Sequence, residues 1–477
     1  MARRAFEVLT GLTPHGVIQV DADGQAAAVL TGRCVHAGRI EARVMQGKDE
    51  RLGWREIAVT PGGEEPFRGT LGGLPAGGPY SVELRVMGEN AAELGGTQVK
   101  QVYAGDLWVL AGQSNMQGIG DLDERVETPH KSVKCYAMRE EWETATEPLH
   151  PLIESIDPVH WSCTPEDRPR LVEEARKTRT KGAGLGITFG KELVKRRGYP
   201  IGLIPCAHGG TSMNQWSPDK KGEGGRSLYG SLLRRVAACG GKVKGVLWYQ
   251  GESECGPQSV AVFAEKFAKL VAALREDLQT LDLPFLYVQI GRFVRDGVDG
   301  ASWNAIRELQ RRAESAIPNA SMVSAIDLPL DDAIHISTDG LKRLGKRMAD
   351  AACRSVYGEA GIETGPRLKE AYFANPARTR LKLVYEGVHE KLVSPRRVGG
   401  FSIHDASEKP ILAILDSYVE PAQPCAVTLK LEPAPPPGAA LYYGAGVESF
   451  ATLTDARDHA AFAFGPLKLD GVPVREG

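Results

Sequence analysis

The sequence has no surplus of either charge: 58 Lys plus Arg stand against 60 Asp plus Glu, a formal net charge of −2. A nucleic-acid binder normally carries a basic excess, so that class is set aside. Nowhere do about 18 apolar residues run together, which excludes a membrane-spanning helix. Cysteines are few, eight in all, and none falls in a C-x-x-C pair or a Cys/His cluster. No zinc or other metal site is expected, and a chain this long needs no disulfide framework, although one or two bridges would fit. The start, Met1-Ala-Arg-Arg-Ala-Phe-Glu-Val, opens like a secretory signal, but Glu7, Thr10 and Pro14 interrupt the apolar core such a signal requires. The protein is therefore expected in the cytoplasm, or exported by a signal lying outside this sequence. Nothing in the sequence speaks to oligomeric state.

What is present is an ordinary globular composition, 42% hydrophobic and 25% charged, and 477 residues suggest about three domains. Residues 1–100 read as a β-sandwich-like domain. Tyr80, Val82, Leu84 and Val86 alternate with polar neighbours, Ile40, Ala42 and Val44 do the same, and glycine- and proline-rich turns separate such runs. Residues 101–360 change texture. The short apolar runs Leu107–Leu110, Pro200–Pro205, Val243–Tyr249, Pro284–Ile290 and Ser321–Ile326 are of the kind buried in a parallel sheet. Helical periodicity at Val260–Leu281, Trp303–Ile317 and Leu341–Tyr357 alternates with them, which predicts an α/β domain. Residues 361–477 return to strand patterns at Leu381–Tyr385 and Ala426–Leu431, closed by a proline-rich rigid turn after Pro433. The span Asp121–Arg170 shows few strand or helix signals and could form part of a site entrance.

Four segments carry the chemistry. Ala111-Gly-Gln-Ser-Asn-Met116 follows an apolar strand, where open α/β sheets place their sites, so Ser114 is a candidate nucleophile. It is not the G-x-S-x-G elbow, and the same serine would serve equally as a helix N-cap. His335 is the candidate base, with Asp332 one turn earlier to fix its tautomer; Asp331 and Asp327 are rivals on spacing alone. Asp455 and Asp458 stand near His459 in the same way, without an evident function. The paired glycines of Cys206-Ala-His-Gly-Gly-Thr211 could expose oxyanion-binding N–H groups. In Trp248-Tyr-Gln-Gly-Glu-Ser253, Gln250 could donate to an oxyanion and Glu252 could orient a histidine; Ser253 is a rival nucleophile whose glutamate neighbours disfavour an alkoxide. Together these are the parts of an acyl-transfer site.

The strings Val102–Met116, Gly202–Trp216, Gly245–Ser253 and Asp332–His335 closely resemble the motifs of sialate O-acetylesterases and their acetylxylan-esterase relatives, within the SGNH hydrolases. The resemblance implies a flavodoxin-like three-layer α/β fold, flanked by β-rich N- and C-terminal regions and free of cofactors. It implies Ser114 as nucleophile, His335 as base and Asp332 as its orienting acid, with Glu252 the alternative. The oxyanion hole would use the Ser114 N–H, a Gly209/Gly210 N–H (Gly210 favoured) and Gln250; Gln113, Asn115 and Trp216 would bind substrate. One departure lies at Ile336-Ser-Thr-Asp-Gly340, where many relatives carry a Pro and a Lys. The expected activity is removal of O-acetyl groups from a glycan through an acetyl-enzyme, with sialic acid, xylan or another polysaccharide as carrier. The expected partner is thus an O-acetylated carbohydrate, with neither nucleic acid nor membrane. The rival of another class is an inactive carbohydrate-binding protein.

Overall fold

The computed structural model describes residues 6–63 and 65–475. Its centre is a sheet of parallel strands in the order Val133–Tyr136, Ile201–Pro205, Glu93–Gly112, Gly245–Tyr249, Phe285–Gln289 and Ala320–Ser324. A short antiparallel strand, Trp142–Thr144, closes one edge. Apart from the Val133–Tyr136 edge, the strands read 2-1-3-4-5 in chain order, the reversal falling at Glu93–Gly112. That reversal opens a crevice beyond the carboxyl ends of the strands, where ligands bind in open α/β sheets. Burial on both faces explains why these strands are almost continuously apolar: Gly245–Tyr249 and Phe285–Gln289 are buried at every residue. Each helix expected from periodicity is present, as Pro257–Asp277, Gly300–Ala316 and Thr338–Ser355. The last packs against Gly186–Arg197, and the first two pack against each other. The molecule is thus an α/β protein with many added strands.

The strand Glu93–Gly112 runs without a break through residue 100. Val102 and Ala104 face the N-terminal core with Leu30, Val44 and Leu84, while Tyr103 and Leu107 face the central core with Trp108 and Ile201. At residues 102–104 the strand therefore serves two cores from its alternate faces, and from Leu107 onward both faces lie in the central core. A third core, built from Leu383, Leu429, Leu441 and Tyr443, lies in the C-terminal strands and includes Ile326 of the central region. The span Asp121–Arg170 holds more order than its sequence pattern suggests: the fully buried strand Val133–Tyr136, two 3-10 turns and the start of the helix Arg168–Thr178.

All eight cysteines are free thiols. Among the described residues no helix is long and apolar enough to cross a membrane. The first five residues of the signal-like start lie outside the described residues.

Candidate active site

The serine turn follows from a close approach of two strands. At Gly112, φ is +129°, and a Cβ there would sit 2.1 Å from the Tyr249 carbonyl oxygen, so only glycine lets the strands pass. The Gln113 N–H then donates to that carbonyl at 2.8 Å. The single helical turn Ser114–Gln117 begins at once, with Gln113 rather than Ser114 in the N-cap position. Ser114 is therefore not a cap. It is 8% exposed, and among the described residues neither its N–H nor its Oγ has a partner.

The candidate base, His335, lies on the loop after the strand Ala320–Ser324. Asp332 Oδ1 accepts the amides of Ile334 (3.0 Å) and His335 (2.8 Å), and Oδ2 lies 2.7 Å from His335 Nδ1. Burial opposes ionisation of Asp332, but those two amides and the imidazole outweigh it and hold the carboxyl below its ordinary value. The carboxylate thus fixes the ring with Nε2 outward, and Nε2 has no partner among the described residues. The rival acids are committed elsewhere. Asp331 accepts the amides of Asp121 and Thr338, and Asp327 pairs with Arg343 and Arg347.

Asn115 brings the two halves together. Its Oδ1 accepts the Ile336 N–H at 3.0 Å, and its Nδ2 donates to the Ile334 carbonyl at 3.3 Å and to Glu252 Oε1 at 2.8 Å. The residue next to the serine therefore grips the backbone on both sides of His335. The resemblance implied substrate contact for Asn115; its amide is instead fully engaged by the protein. Glu252 does not touch Nδ1, which Asp332 occupies, and reaches the histidine loop through Asn115. Burial raises the Glu252 carboxyl, with the Asn115 bond and the His335 charge pulling the other way.

The glycine loop supplies one free donor. The Gly209 N–H donates to Gln117 Oε1 at 2.8 Å, and a Cβ at Gly209 would lie 3.3 Å from that of Ser114. Gly210, in the left-handed region at φ +70°, is exposed, and among the described residues its N–H has no acceptor. This favours Gly210 over Gly209. Gln250 departs from expectation: it is fully buried, and its amide donates to the Thr211 carbonyl (3.2 Å) and to Glu254 (3.1 Å), leaving no donor for an oxyanion. It acts as a brace under the loop. Trp216 is fully buried, edge-on to Trp248, and donates to Thr211 Oγ1, so it too supports the loop rather than meeting substrate. Gln113 Oε1 accepts the amides of Gly251 and Ser253 and joins the serine turn to the next strand end. Glu254 and Gln117 were not anticipated. Glu254 accepts the Met213 N–H at 2.7 Å, and Gln117 lies three residues after Ser114 on the same short helical turn, a spacing that could have pointed to it.

A probable carbohydrate esterase of Arabidopsis thaliana is 28% identical over 267 residues, covering 51% of this chain and 89% of that protein. Human sialate O-acetylesterase is 22% identical over 342 residues, 64% of this chain and 62% of the human protein. A crystal structure of a carbohydrate acetylesterase from Xanthomonas citri superposes with a TM-score of 0.67 at 21% identity, covering 96% of this chain and 99% of that one, which shows a shared fold. The family model described as carbohydrate esterase, sialic acid-specific acetylesterase matches residues 104–354, just over half of the chain and the whole stretch that carries Ser114, Gly210 and His335. The chain belongs to that family of carbohydrate esterases.

Proposed function

We propose that the protein is a serine esterase that removes O-acetyl groups from a glycan. His335 Nε2 takes the proton of Ser114 Oγ as the oxygen attacks the acetyl carbonyl. The carbonyl oxygen gains negative charge, which the Ser114 and Gly210 N–H groups receive. The C–O bond to the sugar breaks, the imidazolium returns its proton to the departing sugar oxygen, and an acetyl-enzyme remains. Water then repeats the sequence and releases acetate. Asp332 holds the tautomer and steadies the imidazolium, and Asn115 sets the distance between base and nucleophile.

The observation that carries this reading is the Asp332–His335 pair at 2.7 Å, with Nε2 left free on a loop pinned by the residue beside Ser114. The 2-1-3-4-5 strand order supports the flavodoxin-like layered layout for residues 101–360. The separate N- and C-terminal cores support β-rich domains at 1–100 and 361–477. Acetate release from an aryl acetate by the wild type and by Ser114→Ala tests the mechanism. Activity that disappears in the variant is expected, and equal activity in both would shift the nucleophile to Ser253. Acetate release from acetylated sialic acid beside acetylated xylan then identifies the carrier sugar.

A further inference from the structure

A cavity of about 610 Å³ lies away from Ser114, at the seam between the helix Gly300–Ala316 and the C-terminal strands. Its volume falls within the range of small-molecule sites, roughly 300–1,000 Å³. Ala301, Ala305 and Leu309, at intervals of four residues, present one flat, sparsely branched face of the helix. Opposite stand Tyr442 and His404, whose rings lie 4.4 Å apart. The Arg312–Glu308 ion pair lies in the lining, and beside it the Tyr442 hydroxyl, the Glu408 carboxylate and the Asn304 amide nitrogen have no partner among the described residues. The other end of the Asn304 amide is fixed, because its Oδ1 accepts the Gly446 N–H at 2.7 Å. The nitrogen is thereby held at the cavity. Burial and the nearby Glu408 charge raise the Tyr442 phenol, which keeps it a neutral donor.

We propose that this cavity is a second carbohydrate-binding site that takes a neutral stretch of glycan. A flat apolar face bordered by separate donors and acceptors matches the C–H face and hydroxyl rim of a sugar ring. A wholly apolar ligand would leave the three polar groups unpaired, and an anionic sugar would meet a lining with two carboxylates, Glu308 and Glu408, against one guanidinium, Arg312, which is already paired with Glu308 at 2.8 Å. The site is also joined to the catalytic loop. Phe293 donates to the Val447 carbonyl beside Gly446, and Val294 donates to the Ala333 carbonyl, two residues before His335. A chain held here stays near Ser114, so its acetyl groups meet the nucleophile at a raised effective concentration. The choice of a glycan rests on the esterase reading, whereas binding itself does not depend on Ser114.

Calorimetric titration of the full chain with unacetylated xylotetraose, cellotetraose and mannotetraose, beside N-acetylneuraminic acid, tests the site. At least one neutral tetrasaccharide is expected to bind. Ala305→Trp, which fills the cavity, should weaken that binding at least tenfold, and Glu408→Gln, at an exposed position, several-fold. Ala305→Trp should leave aryl-acetate turnover within twofold of the wild type, which separates this site from the catalytic one. Three results would each overturn the proposal: no neutral sugar binds, only N-acetylneuraminic acid binds, or a folded Ala305→Trp binds as tightly as the wild type. If Ala305→Trp fails to fold, unchanged affinity in Glu408→Gln overturns it.

Discussion

Among the described residues two histidines, His335 and His459, hydrogen-bond an acid one turn away, and they have opposite surroundings. His335 meets Asp332 through Nδ1 at 2.7 Å, its side chain is 22% exposed, and Nε2 has no partner among the described residues. His459 meets Asp455 through Nδ1 at 3.1 Å and Asp350 through Nε2 at 2.8 Å, and its side chain is 1% exposed. Asp350 lies on the helix Thr338–Ser355, so His459 ties the C-terminal strands to the central region. Both rings have a fixed tautomer or charge. Only the first keeps a nitrogen to move a proton, and the second gives both to the structure. An acid beside a histidine therefore marks an ordered imidazole, and the state of the other nitrogen separates a base from a clamp.

That contrast can be broken directly. His335→Ala should lower aryl-acetate turnover by on the order of 10⁶-fold, with a denaturation midpoint close to that of the wild type. Matching losses of turnover and stability would make His335 a structural residue. His459→Gln should do the reverse, removing about 3 kcal/mol of stability by leaving two buried carboxylates short of their partner, while a correctly folded fraction keeps its turnover per active site. Urea denaturation with active-site titration reads both quantities.

A smaller effect tests how the base is held. Asn115→Ala removes the contacts to Ile334, Ile336 and Glu252. It should lower kcat about 10²-fold, the scale of a misplaced catalytic group, with little change in KM. A raised KM at unchanged kcat would return Asn115 to the substrate-binding role.

The same positions show how far the sequence could be read. Ser114, His335 and Asp332 could be singled out because each sits in a short local pattern after an apolar strand, and the Asp332–His335 contact is local, with Asp332 bonding only two and three residues onward. The rivalry among Asp327, Asp331 and Asp332 was not legible, since the partners that occupy the first two, such as Arg347 and Asp121, are distant in sequence. For Asn115, Gln113, Gln250 and Trp216 the sequence indicates a neighbourhood, and the structure shows their side chains bonded to the supporting loops. Motif spacing brings a residue to the crevice without saying whether its side chain faces the substrate or the supporting loop. Asn115 illustrates this, with partners 137 to 221 residues away. The fold followed the same rule. Periodic elements such as Gly245–Tyr249 and Pro257–Asp277 were visible, whereas the four-residue strand Val133–Tyr136 is too short to show a period and is defined by its neighbours on the sheet.

The smallest expected effect sharpens the comparison by pH. Burial opposes the His459 charge, but Asp350 and Asp455 outweigh it and raise the imidazole above 6.5. The folded state therefore binds this proton more tightly than the unfolded chain. Its contribution is complete below 6.5 and is lost as pH rises through the raised folded value, at no more than about 1.4 kcal/mol per pH unit. Glu147 acts in the same direction over a lower window. Burial, opposed by the Gly184 and Leu149 amides, raises its carboxyl to about 7, so its stabilisation fades from 4.5 up to that value. Above pH 7 the two separate. The wild type should lose more stability than His459→Gln between pH 7 and 9, with the difference growing until His459 is neutral. Parallel decline in both proteins across that range would mean that the ring is already neutral at pH 7, and the clamp would then be held by hydrogen bonds without the charge.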